Sequence, residues 1–267
     1  MKTFEELGLN HNLLKVIKEV NFKEPTEIQE KALPLALAGK DIIGESATGS
    51  GKTLAFGAPI IEKIHRGAGL QALILTPTRE LAEQVSKSIK IFSKYHPLNI
   101  LSVYGGVSLE PQIKNLENAD IVVGTPGRIL DHMQRRTINL SKIKFLVLDE
   151  ADRMLDMGFI HDVTDIIDSC PKERQTFLFS ATISAEILKI SKHYMVHPIE
   201  VSAESYVDPS KLTQVFYDVP GKEKFSLLVH LLKEEHSKLI MVFCNTKHNT
   251  DFIGRNLERQ GFNTLTL

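Results

Sequence analysis

Ser46-Ala47-Thr48-Gly49-Ser50-Gly51-Lys52-Thr53 is the stretch on which the reading of this chain turns. It follows the short apolar run Asp41-Ile42-Ile43-Gly44 and opens Leu54–Ile64, a segment that reads as a helix. Strand, Gly-rich turn, Lys-Thr and helix is the order of a phosphate-binding loop. The glycines let backbone N–H groups turn inward where a Cβ would clash, and the helix N-terminus adds its positive dipole end. In that reading the loop cradles the phosphates, Lys52 reaches the β- and γ-phosphates, and the Thr53 hydroxyl holds Mg²⁺. The strict pattern wants glycine at position 46, where this chain has serine. A Gly/Ser-rich surface loop with a chance Lys-Thr is the competing reading, and the flanking strand and helix argue against it.

Composition narrows the field. The 267 residues leave room for one large or two modest domains with a buried core. Hydrophobic content of 42% and charged content of 24% are those of an ordinary globular protein. The formal charge of −1 means that any nucleic-acid binding rests on local basic groups rather than a global field. Cys170 and Cys244 form no C-x-x-C pair and read as free thiols of a reducing, cytoplasmic setting. No apolar run is long enough to span a membrane, and the histidines show no metal-ligand spacing.

Taken in order, Asn10 caps a helix that carries Leu13, Leu14, Ile17 and Val20 on one stripe. Thr26 and Gln29 stand in the T-x-x-Q arrangement of a capping box after Pro25. A second reading has Gln29 present its amide to an adenine edge while Phe22 stacks on the ring. The phosphate loop some twenty residues on lends that reading force. Strand-like runs follow at Ala72–Thr76, Ile100–Tyr104, Ile121–Gly124, Phe145–Leu148 and Thr176–Phe179, with helical stripes between them. This alternation predicts a doubly wound, parallel α/β sheet. Gly57 and Pro59 predict a kink or early break in Leu54–Ile64. Periodicity lapses near Ala203–Lys211, so residues 204–211 are the expected linker between a first domain, 1–203, and a second, 212–267. The second domain is expected to hold strands at Leu212–Val219, Leu239–Phe243 (buried) and Phe262–Leu267. Its expected helices are Lys222–Glu235 and one capped by Thr246 or Asn249 that runs to Gln260.

A phosphate loop needs an acidic partner at the end of a neighbouring strand, and Phe145-Leu146-Val147-Leu148-Asp149-Glu150-Ala151-Asp152 supplies one. Asp149 is placed to hold Mg²⁺ and Glu150 to activate the attacking water. The same acids suit the first turn of any helix. Asp149–Asp152 spells D-E-A-D, and the chain resembles a DEAD-box ATP-dependent RNA helicase along its length. Phe22 with Pro25–Gln29 is similar to that family's Q motif, and Ser46–Thr53 to motif I, where position 46 is usually alanine. Pro77-Thr78-Arg79-Glu80-Leu81-Ala82 resembles motif Ia, Gly105-Gly106 the double-glycine element and Thr125-Pro126-Gly127-Arg128 motif Ib. Ser180-Ala181-Thr182 resembles motif III and Val242–Thr246 motif IV.

The resemblance implies two RecA-like domains that close on ATP, Mg²⁺ and single-stranded RNA. It assigns backbone phosphates to Pro77, Thr78, Arg79, Gly105, Gly106, Thr125 and Arg128. Read without the family, a plain turn at a strand end explains Gly105-Gly106 equally well and is the commoner reading of Thr125–Arg128. Ser180 and Thr182 are implied to bond Asp149 or Asp152 and relay nucleotide state; alone they read as helix-capping hydroxyls. Arg135, Arg136 and Arg153 read as solvated charges. The H-R-x-G-R-x-G-R string expected of the family's second domain does not occur before Leu267, so the second domain reads as incomplete. An arginine supplied that way can be worth about 10³–10⁵ in rate. These 267 residues are therefore expected to bind nucleotide, to hydrolyse ATP poorly and not to unwind duplexes alone. A P-loop translocase acting on DNA and an ATP-dependent RNA clamp or scaffold are the alternatives.

Overall fold

The structure is a computed structural model that describes residues 2–203, 213–237 and 239–266. The chain divides into two compact units, Met1–Tyr206 and Val207–Leu267. In the first unit, β1 (Ile42–Glu45), β2 (Ala72–Leu75), β3 (Ile100–Val103), β4 (Ile121–Gly124), β5 (Phe145–Leu148), β6 (Gln175–Ser180) and β7 (Ile199–Ser202) form one sheet. Every pair is parallel and the order is β3-β4-β2-β5-β6-β1-β7.

Side-chain alternation along these strands builds two cores. Ile42, Ile74, Val123, Val147 and Phe177 enter one apolar cluster, with α1 (His11–Glu19), α2 (Glu27–Leu37), α3 (Lys52–Lys63) and α4 (Arg79–Phe92). Their neighbours Ile43, Leu73, Val122, Leu146 and Leu178 enter the other, covered by α5 (Glu110–Leu116), α6 (Pro126–Gln134), α7 (Ala151–Asp156), α8 (Ile160–Asp168) and α9 (Ala185–Tyr194). Successive strand residues point to opposite faces, so continuous apolar runs are what a doubly covered sheet requires. The edge strand β7 was not expected from the sequence. Its Ile-Glu-Val-Ser alternation buries Val201 alone, the pattern of a strand with one covered face.

One close approach shapes the sheet beside the phosphate loop. Phe179 of β6 lies against Gly44 in β1, and a Cβ on Gly44 would stand 2.3 Å from its Cε1. The ring has no room to yield, since it also packs on the fully buried Phe56 with centroids 5.6 Å apart. Gly44→Ala is therefore expected to cost about 1–3 kcal/mol as overpacking, read as a lower midpoint in chemical denaturation. An unchanged midpoint would refute the contact.

The expected break at Gly57 and Pro59 does not occur, because α3 runs unbroken from Lys52 to Lys63. Burial overrides propensity here: from Leu54 to Ile61 every residue of α3 is buried, and packing compensates the lost hydrogen bond. The expected linker, residues 204–211, lies outside the described residues, as does Leu212.

The second unit departs further from expectation. It holds a short 3-10 turn at Gly221–Glu223, then α10 (Lys224–Glu234) and α11 (Lys247–Arg259), whose N-cap Thr246 accepts from Asn249 N–H at 3.2 Å. The expected strands at 213–219, 239–243 and 262–266 are not formed among the described residues. Leu239 and Phe243 are 81% and 90% exposed, so the expected buried strand there is corrected. A strand exists only as a member of a ladder, and among the described residues of this unit no apolar run pairs with another.

Candidate functional site

Because every strand runs the same way, each loop that leaves a strand end emerges on one edge. Along that edge the order is β3, β4, β2, β5, β6, β1. At about 4.8 Å per strand, the ends of β3 and β1 lie roughly 24 Å apart. The expected site residues divide between the two halves of this edge.

The β1 end carries Ser46–Gly51. Ser46 N–H donates to Ser180 O at 2.9 Å, which ties the loop to β6. Gly49 and Gly51 have φ of +84° and +92°, so the chain turns through the left-handed region before α3 begins at Lys52. A Cβ on Gly51 would stand 2.3 Å from Gln29 Nε2. That closeness has a purpose: Gln29 Nε2 donates to Gly51 O at 3.0 Å, while its Oε1 accepts from Thr26 N–H at 3.0 Å. The capping box is thus real, and the same amide also fastens α2 to the phosphate loop. Gln29 is 3% exposed with its polar atoms turned to these partners. Phe22 stands outside this cluster, 41% exposed and edge-on to Phe92.

The buried Lys52 ammonium lies 3.8 Å from Asp149 Oδ1 and 3.4 Å from Ser46 O. Burial pushes the Asp149 carboxyl up to about 6; Lys52 opposes that rise and Glu150 adds to it. Glu150 sits at φ +53°, a strained value for a side chain with a Cβ. The turn aims its carboxylate across the gap: Oε1 accepts from Thr48 Oγ1 at 2.8 Å and Oε2 from Arg153 Nη1 at 3.4 Å. Arg153, expected to be a solvated charge, is instead an ion-pair partner of Glu150. The i,i+3 spacing was its only signal. Ser46 Oγ, Ser50 Oγ and Asp149 Oδ1 are buried without hydrogen-bond partners. Together with the Thr53 hydroxyl on the first turn of α3, they fit a bound phosphate and its magnesium ion.

Of the two partners expected for Ser180 and Thr182, the structure selects Asp152. Its Oδ2 accepts from the N–H groups of Ala181 and Thr182, each at 3.1 Å, and from Thr182 Oγ1 at 3.2 Å. Ser180 Oγ accepts from Asp152 N–H at 3.1 Å and donates to Thr182 O at 2.8 Å. The ends of β5 and β6 are thereby locked together beside the phosphate loop.

The β3-β4-β2 half gathers the other group. Thr78 caps α4 by accepting from Leu81 N–H at 3.3 Å, which directs the helix N-terminus, with Arg79, to the edge; Pro77 is buried behind it. Arg79 lies over the Tyr104 ring, 5.6 Å from its centroid. Gly106, at φ +80°, leaves space that a Cβ would take, 2.9 Å from Arg79 Nη1. Thr125 heads α6, and Arg128 Nη2 donates to Val107 O at 3.1 Å while its Nη1 is buried and unpaired. Gly105 is open on its Cβ side. Tyr104 was not expected as a site residue; its hydroxyl donates to Glu83, which steadies the ring under Arg79.

A parallel sheet with a Gly-rich phosphate loop after β1 and an acidic pair after β5, two strands away, defines a RecA-like P-loop domain. The chain belongs to the DEAD/DEAH box helicase family, whose model matches residues 26–190. It is 46% identical to the ATP-dependent RNA helicase CshA of Listeria monocytogenes, covering 98% of this chain and 51% of that protein. It is 44% identical to a probable ATP-dependent RNA helicase of Methanocaldococcus jannaschii, covering 97% of this chain and 70% of that one. The crystal structure of a DEAD box protein from the hyperthermophile Methanococcus jannaschii superposes with a TM-score of 0.74 at 43% identity, over 99% of this chain and 72% of that one. The chain spans about half the length of the CshA relatives it matches.

Proposed function

We propose that the protein is an ATP-dependent RNA helicase that binds ATP with Mg²⁺ at the β5-β6-β1 half of the edge and single-stranded RNA backbone at the β3-β4-β2 half. The observation that carries this reading is the sheet order, which sets two anion-directed groups side by side on one edge. Relatives named as ATP-dependent RNA helicases support it. Magnesium, when bound, would neutralise phosphate charge, and Thr53 and Asp149 are the residues that would hold it. Lys52 then holds the β- and γ-phosphates within the loop Ser46–Gly51. Glu150, freed from Thr48 as that loop takes up phosphate, orients the attacking water and accepts its proton. Asp152, Ser180 and Thr182 carry any shift of the β5 end to β6. RNA is gripped through phosphates by Thr78, Arg79, Gly105, Gly106, Thr125 and Arg128, so recognition is of backbone rather than base.

Oligonucleotides of one sequence made as RNA and as DNA test the reading. RNA is expected to bind more tightly, and cooperatively with ATP; equal binding would favour a DNA translocase. Gln29→Ala is expected to weaken nucleotide binding generally, since it releases the loop at Gly51, and to erode the preference for ATP over GTP. Competition binding with the two nucleotides measures both effects. An unchanged preference would reduce Gln29 to its structural contacts with Thr26 and Gly51.

A further inference from the structure

The turn Gly105–Val107 is held by its carbonyl groups. Arg128 holds one side, at Val107 O. The other side is held from inside the domain: Gln112 Nε2 donates to Tyr104 O at 3.1 Å, and Gln112 Oε1 lies 3.1 Å from His132 Nε2. His132 Nδ1 in turn lies 2.7 Å from Thr137 Oγ1. Gln112 is 6% exposed and His132 is fully buried.

The sense of this chain is determined by its end. A carbonyl oxygen only accepts, so the Gln112 amide must turn its NH₂ to Tyr104 O and its oxygen to His132. His132 Nε2 must therefore carry the hydrogen, which leaves the Nδ1 lone pair, 2.7 Å away, and His132 O, 3.2 Å away, as the two acceptors open to the single Thr137 hydroxyl hydrogen. Burial, with the nearby Arg128 cation, lowers the His132 pKa and keeps the ring neutral. Two apolar side chains would fill the same space without the cost of burying polar groups. What the polar pair adds is a fixed position for one carbonyl of an exposed turn. Among the described residues, the N–H groups of Gly105, Gly106 and Val107 have no partner within the chain, so they are free for an incoming anion.

We propose that His132 and Gln112 are positioning residues that clamp the Gly105–Val107 turn so that its free N–H groups meet an RNA phosphate. The proposal rests on the RNA reading of this edge. Neither residue touches RNA; each acts through Tyr104 O.

Gln112→Glu isolates the clamp, since a carboxylate still accepts from His132 but offers Tyr104 O no hydrogen. His132→Phe attacks the same chain from the other end, and Arg128→Ala removes both the phosphate-facing cation and the turn's other tie, at Val107 O. The measurements are anisotropy of a labelled single-stranded RNA, affinity for a fluorescent ATP analogue, and deuterium exchange at Gly105–Val107. Both clamp variants are expected to weaken RNA binding about three- to tenfold, the scale of one hydrogen bond. Exchange in the turn should accelerate, with nucleotide affinity unchanged. Wild-type exchange in Gln112→Glu and His132→Phe would overturn the proposal. So would faster exchange with RNA affinity lowered only in Arg128→Ala. If Arg128→Ala also leaves RNA affinity unchanged, the RNA reading of this edge fails and takes the proposal with it.

Discussion

Replacing Glu150 by glutamine in the full-length protein is expected to lower RNA-stimulated phosphate release by about 10²–10⁴, the usual worth of a positioned general base. Glutamine is nearly isosteric: its single carbonyl oxygen can still accept from Arg153 while its NH₂ donates to the Thr48 hydroxyl oxygen, so the φ +53° turn and the loop contact are retained. What it lacks is the capacity to take a proton. The expected result is therefore a loss in turnover with nucleotide affinity close to wild type. A drop in affinity of similar size would mean that the carboxylate organises the loop instead. Unchanged turnover would remove Glu150 from the chemistry altogether.

Lys52→Ala is expected to abolish nucleotide binding and to destabilise the fold in a pH-dependent way. Asp149 is 3% exposed and Lys52 is the cation paired with it. Its folded-state pKa of about 6 stands above the ordinary 3.8, with burial the largest cause. The folded chain thus binds this proton more tightly than the unfolded chain. In the native protein the group favours folding fully below 3.8, and that contribution is lost as pH rises through about 6. Removing Lys52 leaves a buried carboxylate without its counter-charge at pH 8, at a cost of about 3–5 kcal/mol. At pH 5 Asp149 is already mostly protonated, so most of the penalty should vanish. Denaturation curves at the two pH values measure the difference, and an equal penalty at both would show that the pair is not coupled. By the same protonation, affinity for magnesium-nucleotide should fall in the wild type as pH drops below about 6.

Much of this molecule was legible from residues alone, because the chemistry is local in sequence. A phosphate loop is one strand, one turn and one helix start, and Ser46–Thr53 shows all three in eight consecutive residues. Asp149 and Glu150 announce themselves at the end of a four-residue apolar run. A strand buried on both faces has no polar positions to confuse it with a surface element, so β2, β4 and β5 were plain. Where sequence misled, a distant partner was decisive. The run at 239–243 is as apolar as β5, yet only β5 has neighbours on both sides to form ladders. Gly57 and Pro59 argue locally against a helix that burial then maintains.

What the sequence by itself determined was the identity of the groups: a loop for phosphate, an acid pair, and hydroxyls and cations spaced for anions. Only the tertiary structure decided how they combine. It chose Asp152 over Asp149 for Ser180 and Thr182, and turned Gln29 inward onto Gly51. It gave Glu150 the partners Thr48 and Arg153, and linked His132 through Gln112 to Tyr104. The physical reason is common to all four. Hydrogen bonds depend on ångström-scale approach between side chains and loops that sheet order and helix packing bring together, and local periodicity does not encode that approach.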